Sequence, residues 1–98
     1  MQVEFHPEAE EEFIEEAAFY NAQVPGLGDL FVEEVLAAAA LLQDEPKIGV
    51  KIFPAYRHFV LRKFPHSLIY SQEHGGVWIL AVAHHKRRPG YWRERSNR

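Results

Sequence analysis

Apolar and polar positions change their period near the middle of the chain. Residues 2–6 alternate, with Val3 and Phe5 facing one way and Gln2 and Glu4 the other, which is the period of a half-buried strand. Pro7 follows at a position suited to the first turn of a helix, where its missing N–H is not needed. Ala9, Phe13, Ala17 and Tyr20 then recur at helical spacing, widened by Ile14 and Ala18, and the pattern predicts a helix over 7–22. Val24 to Gly28, with Pro25 and Gly26 at its centre, breaks it. A second helix is expected from Leu27 or Asp29 to Gln43, with Phe31, Val35, Ala38, Ala39 and Leu42 along one face. The short connection predicts a helix hairpin, ended by Asp44-Glu45-Pro46.

Beyond Pro46 the pattern reads as strands. These are Val50–Phe53, stopped by Pro54; Arg57–Phe64, stopped by Pro65; and Ser67–Gln72 and Val77–Ala83, joined through His74-Gly75-Gly76. The last of them is apolar on both faces, as expected of a central strand. The order β-α-α-β-β-β-β predicts an α+β fold in which the helix hairpin packs on one face of a mostly antiparallel sheet. The other face is then expected to stay open and to carry much of the positive charge. The 98 residues are expected to form one domain, 1–98, too small for a dinucleotide-binding fold.

Charge sharpens this picture. The net charge of −3 conceals a split. Residues 1–46 hold two Asp and ten Glu with no Lys or Arg, a charge of −12, and residues 47–98 hold four Lys and seven Arg against two Glu, a charge of +9. Glu8, Glu10, Glu11 and Glu12 sit in the first turns of the first helix, where its dipole favours them, and read as a solvated face. The absence of cysteine excludes a disulfide frame and a thiolate zinc site. His6, His58, His66 and His74 lack metal-ligand spacing, so no metal and no cofactor is expected. No apolar run approaches the ~18 residues of a membrane span, and Met1 to Glu4 lack the basic and apolar regions of a signal peptide. A cytoplasmic protein without a membrane partner is the expectation.

Phe5-His6-Pro7-Glu8-Ala9, the helix hairpin, Arg57 to Pro65 with its Phe64-Pro65 end, Ile69-Tyr70, Ile79 to His84, and Arg87 to Arg95 form a set of segments. Together they resemble the RelE/ParE superfamily, the toxin halves of type II toxin–antitoxin modules, often labelled plasmid stabilisation proteins. The resemblance implies growth inhibition and neutralisation by a cognate antitoxin, in a toxin–antitoxin hetero-oligomer. Some members cleave mRNA on the ribosome, others poison DNA gyrase, and many have no assigned target. Cleavage needs no metal, because the RNA supplies its own 2′-OH nucleophile. The protein moves protons and stabilises charge at phosphorus.

On matching positions, the resemblance implies that Arg57 clamps phosphate and that His84 or His85 exchanges protons. Arg88 would contact phosphate, and Tyr91 would stack on a base or transfer a proton. Lys51, Arg62, Arg87 and Trp92 are the corresponding candidates for RNA binding. Each also has a plain structural reading: Arg57 and Arg62 as solvated sheet residues, His84 as a hydrogen-bonded histidine, Tyr91 and Trp92 as anchors folding the tail onto the core. Ribosome-dependent mRNA cleavage is the first expectation. A gyrase poison without chemistry of its own, or a degenerate member that only binds its antitoxin, are the alternatives. The several alanines of the apolar stripe in the first half leave room for a homodimer.

Overall fold

A computed structural model describes residues 2–73 and 75–95. The elements run β1 (Val3–Phe5), α1 (Pro7–Gln23), α2 (Leu27–Asp44), β2 (Val50–Phe53), β3 (Tyr56–Val60), β4 (His66–Glu73), β5 (Gly76–His84) and a single 3₁₀ turn at Tyr91–Glu94. The sheet order is β1-β5-β4-β3-β2. Among the described residues only the β1–β5 pair is parallel, so the sheet is mixed but mostly antiparallel. The expected α+β architecture with a helix hairpin on one sheet face is what the chain adopts. In the turn between β4 and β5, His74 lies outside the described residues; Gly75 takes a positive φ of 76°.

Local chemistry explains the element ends. Pro7 opens α1, and the Nδ1 of His6 accepts a hydrogen bond from the Glu8 N–H at 3.0 Å, so a histidine acts as the cap. Asn21 shapes the hairpin: its Oδ1 accepts from the N–H groups of Gly26 at 3.1 Å and Gly28 at 2.8 Å, satisfying donors at the start of α2. Gly28 is buried against α1, and a Cβ there would lie 2.0 Å from the Ala17 carbonyl oxygen, so only glycine lets the helices approach this closely. The face of α2 expected to be buried is buried: Phe31, Val35, Ala38, Ala39 and Leu42.

One strand boundary differs by more than a single residue. The pattern ran β3 to Phe64, but the strand stops at Val60. Leu61 and Phe64 turn inward to the core instead of continuing the alternation. The N–H groups of Arg62 and Lys63 are taken by the Glu34 carboxylate on α2 rather than by a strand.

Two apolar clusters result. The main one lies between helices and sheet and includes Phe31, Val35, Leu42, Leu68, Tyr70 and Ile79. The second lies on the opposite sheet face, where Ile69, Trp78, Leu80 and Ala81 are covered by Trp92 from the C-terminal segment. That face was expected to be open. Instead it carries a small core of its own, because Trp92 is 3% exposed and packs edge-on against Phe53 and Tyr56.

Candidate functional site

Between the C-terminal segment and the sheet lies a cleft of about 440 Å³. Its floor is apolar, from Ile52, Phe53, Ile69 and Ala83, and its rim is basic or polar, from His58, Ser67, His84, His85, Arg87, Arg88 and Arg93. Among the described residues, no Asp or Glu lines it. Period two of the strands builds the site: His58 and Ile69 are cross-strand neighbours in β3 and β4, and Ser67 and Ala83 are neighbours in β4 and β5. The chain turns after β5, where His85 N–H bonds the Pro65 carbonyl at 2.8 Å, and this turn brings the arginines across the sheet.

The same alternation separates the candidates. Arg57 pairs with Tyr70 in the β3–β4 register and shares its side of the sheet, the helix side. There its Nη1 donates to the carbonyls of Gly49 at 2.7 Å and Lys47 at 3.2 Å. Lys51 pairs with Arg57 across β2 and β3, and both line a second cavity of about 400 Å³. Arg62 sits in the β3–β4 turn beside Glu33 and Glu34 of α2, at a third cavity. His84, His85, Arg87, Arg88, Tyr91 and Trp92 alone meet at the basic cleft.

Within the cleft most groups are already engaged. His85 Nε2 lies 2.9 Å from Ser67 Oγ, and His84 Nδ1 accepts from the Lys86 N–H at 3.0 Å. The Tyr91 hydroxyl donates to Glu12 Oε2 at 2.5 Å. Two guanidinium groups lie over its ring, Arg87 at 3.8 Å and Arg95 at 5.0 Å from the centroid. Burial, then the hydrogen bond and charge of Glu12, raise the Tyr91 pKa well above its ordinary value, so the phenol holds its proton at neutral pH. Arg93 covers the Phe53 ring at 4.1 Å, and Trp92 is sealed in the second core. Trp92 is thus buried, and the Tyr91 ring is engaged by the protein's own arginines.

A family model described as ParE toxin of type II toxin-antitoxin system, parDE, matches residues 3–89. The chain belongs to the ParE toxin family. A solved structure described as the chromosomal ParDE TA system from P. aeruginosa superposes with a TM-score of 0.75 at 17% identity, over 86% of this chain and 95% of that one. No curated protein sequence matches significantly. The ParE-family match ends at Pro89, so Tyr91, Trp92 and Arg95 lie beyond it. Among the described residues, no helix is long and apolar enough to cross a membrane, and no cluster of three or more His, Cys, Asp or Glu is arranged to hold a metal.

Two groups escaped the sequence reading. Glu12, counted with the solvated glutamates, accepts from the Val82 N–H at 2.9 Å, the Tyr91 hydroxyl at 2.5 Å, and Arg95 Nη1 at 3.0 Å and Nη2 at 2.6 Å. Its signal was spacing: Glu12 falls three residues after buried Ala9 and borders the apolar stripe. His66 is fully buried and sits beside His84, ring centroids 4.8 Å apart. Its parity with Leu68 in β4 places it on the helix side, which the strand pattern alone contains.

Proposed function

We propose that this ParE-family toxin arrests growth by binding an acidic surface of a protein target, DNA gyrase, rather than by cutting mRNA, and that a cognate antitoxin neutralises it in the cytoplasm. The observation that carries the reading is that Arg57 and Lys51, the phosphate-clamping candidates, lie apart from the histidines and arginines of the cleft. RNA cleavage needs a proton acceptor, a charge stabiliser and a proton donor around one phosphate. Here Arg57 and Lys51 occupy the sheet face opposite His85 and Arg88. Arg57 is tied to two backbone carbonyls, and Tyr91 is held as a hydrogen-bond donor to Glu12. A cleft with an apolar floor and a cationic rim, lined by no Asp or Glu among the described residues, suits an acidic protein segment with an apolar anchor.

The test is induction without antitoxin. The expected result is accumulation of gyrase-bound DNA breaks with intact mRNA, reduced at least tenfold in Arg87→Ala/Arg88→Ala. Ribosomal A-site mRNA cuts that disappear in His85→Ala and Tyr91→Phe, with no gyrase-bound breaks, would overturn the reading.

A further inference from the structure

We propose that Glu12 is a positioning residue for the toxin's target-binding surface: from α1 it fixes the C-terminal segment that carries Arg87, Arg88 and Arg93 onto the cleft, without itself touching the target. The inference rests on the basic cleft being the surface the toxin uses.

The geometry is that of a latch. The last β1 partner on β5 is Ile79, opposite Phe5. Beyond that pair, the Val82 N–H bonds Glu12 and the Leu80 carbonyl accepts from Arg95 Nη1 at 2.9 Å. Two side chains thus take the place of a neighbouring strand. Arg95 grips both oxygens of Glu12, and its Nε lies 3.4 Å from Glu8. A two-pronged guanidinium–carboxylate pair fixes orientation as well as distance. The Tyr91 ring also contacts the Arg95 and Arg87 guanidinium groups while its hydroxyl reaches the same carboxylate. Together with the buried Trp92, this side chain on α1 ties down the 3₁₀ turn, and with it the wall of the cleft. Glu12 is shielded, at 14% side-chain exposure, so solvent does not compete freely for these bonds.

The test compares Glu12→Gln with Glu15→Gln, which removes the same charge from an exposed site on the same helix. The potency of growth arrest is measured per amount of folded soluble toxin, so that loss of stability alone does not register and the target's identity does not enter. Amide hydrogen exchange of residues 91–95 reports the latch directly. Glu12→Gln and Arg95→Gln are expected to speed that exchange and lower potency at least tenfold. The double variant should be no weaker than either single one, and Glu15→Gln should stay within twofold of wild type. Equal loss in Glu15→Gln, or full potency in Glu12→Gln despite faster exchange, overturns the proposal. So does unchanged exchange. Absence of gyrase-bound breaks with wild type refutes the gyrase target and leaves this comparison standing, because growth arrest is its readout.

Discussion

Replacing His66 by phenylalanine should remove a large part of the acid sensitivity of this fold. His66 lies between sheet and helix hairpin, fully buried, with Phe31 at 4.9 Å and Tyr20 at 6.1 Å between ring centroids. Its Nε2 is 3.4 Å from a Glu16 oxygen, yet neither ring nitrogen makes a hydrogen bond among the described residues. Burial above all, then the neighbouring His84 and His85, lower its pKa from 6.5 to about 4, and Glu12 opposes the shift. The unfolded chain therefore binds a proton at a pH where the folded chain does not. Stability from this group is fully present above pH 6.5 and is lost as pH falls towards 4. At 1.36 kcal/mol per pKa unit the whole effect is about 3 kcal/mol, and about 2 kcal/mol of it falls between pH 7.5 and pH 5. Urea unfolding at both pH values measures it. Wild type should lose about 2 kcal/mol more than His66→Phe across that interval, whatever constant offset the larger ring introduces. Equal losses in the two proteins would refute the assignment of a neutral buried histidine.

Two further substitutions test the packing around the site. Gly28→Ala would place a Cβ 2.0 Å from the Ala17 oxygen and 2.6 Å from Asn21 Cγ, forcing the helices apart; a loss of about 3 kcal/mol in urea unfolding is expected. Tyr70→Phe removes the acceptor of the buried Gly49 N–H at 2.9 Å and the donor to the Pro46 carbonyl at 2.8 Å. It should cost about 1–3 kcal/mol by the same measurement, and a change near zero would mean that water takes over both bonds.

Much of this architecture was legible because each helix and most of the strands repeat at the period of their own secondary structure. Ala9 and Phe13 on α1, and Phe31 to Leu42 on α2, mark the buried face without any tertiary information. The Phe64-Pro65 end of β3 was misplaced because the Glu34 carboxylate on α2, 28 residues before Arg62, takes the Arg62 N–H and the strand ends at Val60. The candidate site was legible only in part. His85, Arg87 and Arg88 do line one cleft, but Arg57 does not join them, since a strand turns successive residues to opposite faces and Arg57 sides with Phe59 and Tyr70.

The chain alone thus determined the elements, their order, the acidic first half and the basic second half, all of which depend on local period and composition. Which basic groups share a surface depended on strand register and on the path of the chain after His84. The role of Glu12 depended on a contact with Arg95, 83 residues away. Helical spacing marks Glu12 as bordering the core, but only the closed tertiary structure brings Arg95 to it.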